Sequence, residues 1–374
     1  MSMQKTTVGI PKEIKDGEYR VGMLPSAAYQ LISRGHQVLV ERDAGIGSAY
    51  SNDEYSKAGA EIVDDAATLF GRAQLIVKVK EPQPLELELM TSEHTLFTYL
   101  HLAADKQLTE RLCATGCTAI AYETIEVNQR LPLLEPMSEI AGRMSVMVGA
   151  YHLARHRGGR GILLGGVPGV LPGKILIIGG GTAGINAARV ATGVGADVTI
   201  LEVDLERMRF LDITMHTAHT LYSSPASLLE QLPRVDLIIG AVLVPGARAP
   251  KLITREMLRV MQNGSVLVDI AVDQGGCAET TRPTTHSDPT YVEEGVIHYC
   301  VANMPGAYAR TATQALTNVT HPYVERLADL GALEACRKDP ALACGLSCHG
   351  GELNAQTVAD AHGLPFTPFP MKQL

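Results

Sequence analysis

The chain has 374 residues, of which 46% are hydrophobic and 19% are charged. This balance is ordinary for a globular protein and excludes extensive disorder, and the length is sufficient for two domains. The formal net charge of −8 disfavours a nucleic acid or an anionic membrane surface as a partner, because both attract basic proteins.

The sequence shows no pattern of a targeting signal or a membrane span. The first residues, "MSMQKTTVGIPKE", lack an apolar stretch of signal-peptide length. The most apolar region, 161–195, is interrupted by Pro168, Pro172, Lys174 and repeated glycines, whereas a bilayer helix needs about 20 uninterrupted apolar residues. We therefore predict a cytoplasmic protein with no membrane partner.

The seven cysteines lie mostly in apolar surroundings. Cys113 and Cys117 are four residues apart, and so are Cys344 and Cys348, which His349 follows. Neither pair has the two-residue gap that is common in zinc sites, so a metal role is the weaker alternative. We predict reduced thiols, as expected in the cytosol, and no bound metal.

The first third of the chain alternates strand-like and helix-like segments. "TTVGI" precedes a helical pattern, "PSAAYQLISRG", which is followed by the strand-like runs "HQVLVE", "AQLIVKVK", "TLFTYL" and "TAIAYETI". Each of these runs is rich in branched or aromatic residues. Strands that alternate with helices predict a parallel sheet with right-handed crossovers.

A second series of strand-like runs begins near residue 174 and predicts a second parallel sheet: "KILIIG", "DVTILEV", "VDLIIGAV", "GSVLVDIAV" and "VIHYCVAN". The tail from about Gly306 has helical patterning and no strand series, so it should pack on the first domain. We predict an α/β protein of two Rossmann-like domains with parallel sheets, separated by a cleft and joined by long helices such as "EPMSEIAGRMSVMVGAYHLARH". The predicted boundaries are 1–133 plus 304–374 for a discontinuous first domain, and 134–303 for the second.

A glycine-rich turn opens the second domain. "KILIIGGGTAGINAA" has the spacing G-x-G-x-x-G at Gly179, Gly181 and Gly184, between an apolar run and a helical pattern. In a dinucleotide-binding turn the first glycine permits the turn, the second lets the pyrophosphate approach, and the third lets helix and strand pack closely. The helix N-terminus, here with Thr182 and Ala183, then offers N–H groups to the phosphates. The alternative is a structural turn without a ligand.

Glu202 lies near the end of the next strand-like run, 18 residues beyond Gly184. Its carboxylate can accept hydrogen bonds from both hydroxyls of an adenosine ribose, and its charge repels a 2′-phosphate. The sequence therefore predicts that 134–303 binds NAD in preference to NADP. Arg207 weakens this preference, because an arginine can receive a 2′-phosphate.

Three later stretches should border the same ligand, because ligands of open α/β sheets bind beyond the carboxyl ends of the strands. They are "GAVLVPG" (240–246), "DIAVDQGGC" (269–277) and "CVANMPG" (300–306), and each includes the end of a strand-like run. Within them we include Ile270 and Met304 among the candidate cofactor contacts.

Two titratable residues at the ends of apolar runs are candidate acid/base groups. The nine residues of "LFTYLHLAA" alone favour a buried core role for His101, but its position where a strand should end favours a proton carrier. Asp273 follows "VLVDIAV" and is either a turn-forming acid or a catalytic group. Asp269, within the same run, is more consistent with a structural role.

Two basic residues are candidate anion-binding groups. Lys78 and Lys80 alternate onto one face of "LIVKVKEP", and Lys80 lies nearer the carboxyl end of the run. The alternative is a lysine pair on an exposed strand face. Arg20 follows the first strand, and a guanidinium suits a bidentate grip on a carboxylate, although a plain surface arginine is an equal alternative.

With these residues identified, the sequence closely resembles the family of bacterial L-alanine dehydrogenases. The likeness extends over nearly the whole chain, in blocks that keep their order and spacing: "GIPKEIKDGEYRVGMLPS", "VKVKEP", "LFTYLHLAA", "AYETIE", "PMSEIAGRMS", "GGRGILLGGVPGV", "GAVLVPGARAPKL", "VDIAVDQGGC", "RPTTHSDPTY" and "NMPGA".

The resemblance implies reversible, NAD-dependent oxidative deamination of L-alanine to pyruvate and ammonium. It implies that Arg20 and Lys80 hold the substrate in the first domain and that His101 and Asp273 are acid/base groups, without deciding which of them activates water. It also implies a homohexamer. The cofactor contacts that it implies are Ser138, Glu202, Arg207, Ser223, Val242, Leu243 and Asn303.

The sequence departs from the family in two places and leaves other activities open. Many members have Asp where this chain has Glu202, and Val-Pro where it has Tyr308 and Ala309. We predict that the longer acid still reaches the ribose, and that losing the proline loosens an interdomain hinge. The alternatives are another amino-acid or imine dehydrogenase, a transhydrogenase-like protein, or an NAD-sensing protein without turnover.

Overall fold

The computed structural model describes residues 5–242 and 249–369. The strands, in chain order, are β1 Thr7–Ile10, β2 Gln37–Glu41, β3 Glu61–Val63, β4 Leu75–Val77, β5 Thr95–Thr98, β6 Thr118–Ala121, β7 Lys174–Ile178, β8 Asp197–Glu202, β9 Ala218–Tyr222, β10 Leu237–Gly240, β11 Val266–Asp269, β12 Thr290–Glu293, β13 Val296–Tyr299, β14 Leu346–His349 and β15 Glu352–Leu353. The helices are α1 Pro25–Ser33, α2 Asn52–Lys57, α3 Ala66–Phe70, α4 Pro84–Leu87, α5 Lys106–Ala114, α6 Glu135–Leu153, α7 Thr182–Gly193, α8 Leu205–Thr214, α9 Pro225–Gln231, α10 Arg255–Arg259, α11 Ala309–Leu330, α12 Ala332–Lys338, α13 Pro340–Gly345 and α14 Gln356–His362.

The chain divides into two compact units. Unit 1 comprises Met1–Pro136 and Gly306–Leu374, and unit 2 comprises Met137–Pro305. Each unit contains one sheet with helices packed on it. Within 5–242 and 249–369, none of the helices combines the length and the apolar character that crossing a bilayer requires.

The sheet of unit 1 has the order β15-β14-β6-β5-β4-β1-β2-β3, and β1 to β6 pair in parallel. The first strand therefore lies in the middle, with β2 and β3 on one side and β4 to β6 on the other. This is the order of a Rossmann fold, in which the loops after the first and fourth strands diverge and leave room for a ligand. Strands β4, β5 and β6 are almost wholly buried, which explains their continuous apolar runs.

The tail after Gly306 contributes two strands, so the prediction of a tail without strands is wrong. Strand β14 pairs antiparallel with β6, and β15 pairs antiparallel with β14. The register between β14 and β6 shifts between Leu346 and Cys348. A short strand with this irregularity, in the sequence "LSCH", has no regular alternation that would mark it as a strand.

The sheet of unit 2 has the order β12-β13-β11-β10-β7-β8-β9. Its parallel part again follows the Rossmann order, and only β12 is antiparallel. The prediction of an α/β protein with two Rossmann-like domains and parallel sheets is therefore confirmed, and the structure adds antiparallel strands at one edge of each sheet. The apolar side chains of β7, β8 and β10 form the centre of the core together with α6 and α7.

Two strands of unit 1 end earlier than the sequence predicts. Strand β4 ends at Val77 and not at Lys80, because the amides of Val79 and Lys80 donate to the Glu13 carboxylate at 2.6 and 3.4 Å. Strand β5 ends at Thr98 and not at Leu100. Backbone hydrogen bonds from Lys78 to Phe97 and from Tyr99 to Val79 continue the pairing for a short distance, and side-chain contacts such as those of Glu13 position the residues beyond.

Candidate active site

Three of the four predicted substrate and acid/base residues lie at the same edge of unit 1. Arg20 follows β1, Lys80 follows β4, and His101 follows β5. These strands are neighbours in the sheet, so their carboxyl ends meet at the ligand-binding edge. Arg20 and Lys80 are both among the cations whose charge acts on the His101 imidazole. The fourth residue, Asp273, belongs to unit 2.

Arg20 is 2% exposed, so the surface-arginine alternative is wrong. Its Nε donates to Glu18 Oε1 at 2.7 Å, and its Nη2 contacts the other oxygen of the same carboxylate. Burial alone lowers the pKa of Arg20, but the Glu18 carboxylate outweighs burial and raises it. The guanidinium is thus a permanent buried cation, oriented along one edge by Glu18.

The two lysines have different surroundings. Lys78 is fully buried and donates from Nζ to Glu13 Oε2 at 3.0 Å and to Glu86 Oε1 at 2.6 Å, which makes it part of a buried ion triad. Lys80 is 6% exposed and acts electrostatically on both His101 and Glu123. The alternative of a lysine pair on an exposed strand is therefore wrong. Lys78 supports the loop, and Lys80 lies beside the titratable groups.

His101 is half-buried and has a left-handed backbone, with φ 50° and ψ 34°. Its imidazole stacks on Tyr99, with the ring centroids 5.9 Å apart. Burial lowers the pKa of His101 well below its usual value, and the charges of Lys80, Lys15 and Arg20 lower it further. Both effects favour the neutral form of the ring. A neutral imidazole surrounded by cations suits an anionic substrate and can accept a proton.

Three acidic residues of this edge have roles that sequence reasoning missed. Glu18 orients Arg20, Glu13 holds the loop before Lys80, and Glu123 accepts the backbone N–H groups of Leu100 and His101. The only sequence signals were local: Glu18 lies two residues before Arg20, and Glu123 lies two residues beyond a buried strand. Neither signal says which partner the carboxylate finds.

The glycine-rich turn of unit 2 has the geometry that a dinucleotide requires. Gly179 has φ +98°, and a Cβ on it would lie 2.8 Å from the Ala241 carbonyl oxygen at the end of β10. A Cβ on Gly184 would overlap the Gly179 carbonyl oxygen, so α7 packs directly against the turn. Around Gly181, no described atom lies within 4 Å of where a Cβ would be, and no side chain caps the helix that begins at Thr182. This open, uncapped helix start fits a pyrophosphate.

Glu202 ends β8 directly beside this turn. Its Oε2 accepts the Gly180 N–H at 2.8 Å, and its Oε1 accepts the N–H groups of Val203 and Asp204 at 2.7 and 3.1 Å. A carboxylate has about four acceptor positions, so capacity for a ribose hydroxyl remains. Arg207 donates from Nε to the Gly180 carbonyl at 2.5 Å and places its guanidinium over the Phe210 ring. Glu202 and Arg207, the two residues that bear on the choice between NAD and NADP, therefore both contact the glycine-rich turn at Gly180.

The structure places the other predicted cofactor residues in unit 2 as follows. Ala183 lies in the first turn of α7, and its carbonyl oxygen is in close contact with Gly142 of α6. Three of the other residues are half-buried: Ser138 in α6, Val242 just after β10 and Ile270 after β11. The Ser223 amide donates to the Glu202 carbonyl at 2.8 Å, Asn303 has a left-handed backbone at φ 65°, and Met304 is 3% exposed. Leu243 lies outside the described residues.

Asp273 and Asp269 differ in how deeply their side chains are buried. Asp273 is exposed in a 3₁₀ turn over Ile270–Gln274. Asp269 is fully buried and accepts the N–H groups of Ala271 and Cys277 at 3.0 and 2.8 Å, and the Thr281 hydroxyl at 2.7 Å. Asp269 is therefore structural, and it shapes the loop that presents Asp273.

Comparisons with known proteins agree over the whole chain. The family models "Alanine dehydrogenase/PNT, N-terminal domain" and "Alanine dehydrogenase/PNT, C-terminal domain" match residues 9–141 and 145–356. The alanine dehydrogenase of Mycolicibacterium smegmatis is 54% identical over 362 residues, which cover 96% of this chain and 98% of that protein.

Solved structures give the same result. An L-alanine dehydrogenase has a TM-score of 0.91 and 50% identity, covering 96% of this chain and 99% of that one. A transhydrogenase from Sinorhizobium meliloti has a TM-score of 0.79 and 26% identity, covering 94% and 99%. Because both domain models match in chain order and these relatives are covered almost end to end, this chain belongs to the alanine dehydrogenase/PNT family.

Proposed function

We propose that this protein is an L-alanine dehydrogenase, which catalyses the reversible, NAD-dependent oxidative deamination of L-alanine to pyruvate and ammonium. The family membership and the 54% identity to a curated alanine dehydrogenase support the activity. The observation that carries the proposal is the placement of Arg20, Lys80 and His101 after three neighbouring strands at one edge of unit 1.

The two cations, Arg20 and Lys80, match the substrate carboxylate and the oxygen atom on which negative charge develops during the reaction. Arg20, oriented by Glu18, binds the substrate carboxylate and so fixes the position of Cα. Lys80 stabilises the oxygen on which negative charge develops as the carbonyl of pyruvate forms or is attacked. Both groups are nearly excluded from water, which strengthens these electrostatic interactions.

His101 and Asp273 share the proton transfers. In the deamination direction a water molecule adds to the substrate imine, and the carbinolamine that results releases ammonium. The neutral imidazole of His101 accepts the proton that this water loses, and it returns the proton as the C–N bond breaks. Asp273 is the second proton-transfer group, at the exposed end of the loop that Asp269 organises.

The glycine turn and Glu202 hold the cofactor, which we propose to be NAD. Gly179, Gly181 and Gly184 provide the open turn for the pyrophosphate, and Glu202 receives the ribose hydroxyls. When bound, NAD accepts the hydride that leaves Cα. The preference for NAD over NADP is supported by the negative charge of Glu202 beside this turn, whereas Arg207, which donates from Nε to the Gly180 carbonyl, is the residue that weakens it.

The test is the oxidation of NADH, followed by absorbance. We expect turnover only when pyruvate and ammonium are both present. If NADH is oxidised with pyruvate but without ammonium, the protein is a hydroxy-acid dehydrogenase. If hydride is transferred from NADH to an NADP analogue without pyruvate, it is a transhydrogenase. The absence of any turnover would refute the proposal. The variant Lys80→Met should lose roughly 10²–10³-fold in kcat, whereas Lys106→Met, at an exposed lysine, should not change it.

We also propose a cytoplasmic homohexamer. Free thiols at all seven cysteines support a reducing compartment. The exposed apolar side chains of Leu163, Val167, Val170 and Leu171, of which Leu171 is 85% exposed, support self-association. Light scattering should give a mass about six times that of the 40.0 kDa chain, and a monomer mass would refute the hexamer.

A further inference from the structure

His101 has a backbone conformation that costs free energy. Its φ of 50° and ψ of 34° lie in the left-handed region, which residues with a Cβ adopt rarely. Holding a residue in such a conformation costs free energy, so surrounding contacts must maintain it. The conformation lies three residues beyond the end of β5 and leads the chain into the 3₁₀ turn Leu102–Ala104.

The Glu123 carboxylate makes contacts that can maintain this turn. Glu123 Oε1 accepts the His101 N–H at 2.6 Å and the Leu100 N–H at 3.1 Å, and Oε2 lies 3.2 Å from the Leu100 nitrogen. Two successive N–H groups beside a left-handed residue form a concave anion site. Here a side chain of the protein fills that site. Hydrogen bonds to a charged acceptor are roughly twice as strong as neutral ones.

The sheet register explains why Glu123 reaches this turn. Strands β5 and β6 are parallel neighbours, with Thr98 opposite Ala121. Glu123 therefore leaves the sheet two residues after the last pair, just as the chain beyond Thr98 reaches Leu100 and His101. Burial raises the pKa of Glu123, while the backbone N–H groups and Lys80 act in the opposite direction.

We propose that Glu123 is a positioning residue for His101: its carboxylate locks the Leu100–His101 backbone in the left-handed turn that holds the imidazole against Tyr99 and near Lys80. This assignment rests on the proposed function, because it gives His101 a task that depends on its orientation. The hydrogen bonds of Glu123 to this turn go to the backbone N–H groups of Leu100 and His101. Its proposed effect on turnover through His101 is distinct from its charge interaction with Lys80, which the double-mutant cycle below separates.

The variant Glu123→Gln removes the charge and keeps the size of the side chain. The retained oxygen can still accept both N–H groups, but the charge that strengthens these bonds is lost, and the NH2 group that replaces Oε2 faces the Leu100 N–H, so that two donors meet at the 3.2 Å contact. We expect kcat to fall about 10–10²-fold, the scale of a small misplacement of a catalytic group, while KM for pyruvate stays within about threefold. Glu126→Gln is the matched control, because Glu126 is an exposed glutamate three residues further along, and it should leave both constants unchanged.

A double-mutant cycle separates positioning from general stability. In a His101→Ala background, Glu123→Gln should change kcat less than twofold, since the group that it positions is absent. An equal loss of kcat in both backgrounds would overturn the proposal. Melting temperatures report whether the variants are folded, and Glu123→Asp, which keeps the charge on a shorter side chain, replaces Glu123→Gln if the amide does not fold.

A crystal structure of the Glu123→Gln variant gives a readout that needs no activity. We expect residue 101 to leave the left-handed region and the Tyr99–His101 stacking to be lost. If the wild-type protein turns over no substrate but this displacement occurs, the proposed function fails while the structural link between Glu123 and His101 holds. If residue 101 keeps its conformation in the variant, the inference fails, whatever the enzyme does.

Discussion

Replacing Lys78 with methionine should destabilise unit 1 strongly. The ammonium group of Lys78 has no exposed surface and lies 3.0 Å from Glu13 Oε2 and 2.6 Å from Glu86 Oε1. The two glutamate side chains are only 2% and 4% exposed. The variant Lys78→Met fills a similar volume but leaves two buried carboxylates facing each other without a cation.

The expected loss follows from this geometry. Removing one partner of a buried ion pair costs about 3–5 kcal/mol, because an uncompensated charge stays buried. For a folding unit of about 200 residues, each kcal/mol lowers Tm by about 2–4 °C. We therefore expect Tm to fall by about 10 °C. The exposed pair of Lys106 and Glu110 is the control, and Lys106→Met should cost less than about 1 kcal/mol.

The loss should depend on pH. Burial raises the pKa of Glu13 in the folded protein, and Lys78 opposes this rise, so the variant raises it further. A carboxyl whose folded-state pKa lies above its unfolded value opposes folding at high pH, and protonation relieves this penalty as pH falls through the folded-state pKa. Thermal unfolding at pH 8 and pH 5.5 should therefore show a larger difference between wild type and variant at pH 8. If Lys78→Met lowers Tm at pH 8 by no more than Lys106→Met does, the reasoning is refuted.

The other predictions concern the reacting groups. His101→Ala should lower kcat by roughly 10²-fold or more in steady-state assays, and near-wild-type turnover would count against its acid/base role. Arg20→Lys should raise KM for pyruvate at least about tenfold, because an ammonium cannot bind Glu18 and a carboxylate with one planar fork; an unchanged KM would contradict the assignment. Lys80→Met removes a cation that lowers the pKa of His101, so the acid limb of kcat/KM for L-alanine should move to higher pH. An acid limb at the wild-type position would show that Lys80 does not act on His101.

The features that the sequence predicted well depend on local chemistry. The glycine spacing at Gly179 reports a turn that needs positive φ and close backbone approach, and the structure shows both. The buried central strands are visible as apolar runs because both faces of a parallel sheet are covered. The position of His101 just after such a run sufficed to predict that it follows the carboxyl end of β5.

The features that were missed depend on neighbours that are distant in sequence. Strand β9, "AHTLY", lies at a sheet edge and keeps much of its surface exposed, so it has no apolar pattern. Strand β14 exists because β6 offers it an unpaired edge, which the residues of the tail do not reveal. The pairing of Glu123 with the His101 amide likewise follows from the register of β5 and β6. Strand order and register are set by the whole sheet and not by a window of residues.

Position 309 illustrates how a departure from the family takes on a local meaning. Ala309 is the first residue of α11, and Tyr308 precedes it as the cap. Proline is favoured at the first position of a helix because its ring fixes φ and the missing N–H would have no helical partner there. The proline of other family members therefore fits a helix start. The absence of a proline at position 309 removes one constraint on the first residue of α11, and it removes no side chain that the structure places among the candidate catalytic groups.

The two units share a strand order but offer different chemistry after their first strands. In unit 2 the chain turns at once through glycines, and the start of α7 stays open where a phosphate would bind. In unit 1 the corresponding loop is long, and its Gly22 serves close approach to the Val77 carbonyl and not a phosphate. The rest of that loop brings in Glu13, Glu18 and Arg20, whose side chains are buried at the sheet edge. The same strand order therefore carries an open glycine turn in unit 2 and a loop of buried charged side chains in unit 1, and this difference supports the proposal of a cofactor site in unit 2 and a substrate site in unit 1.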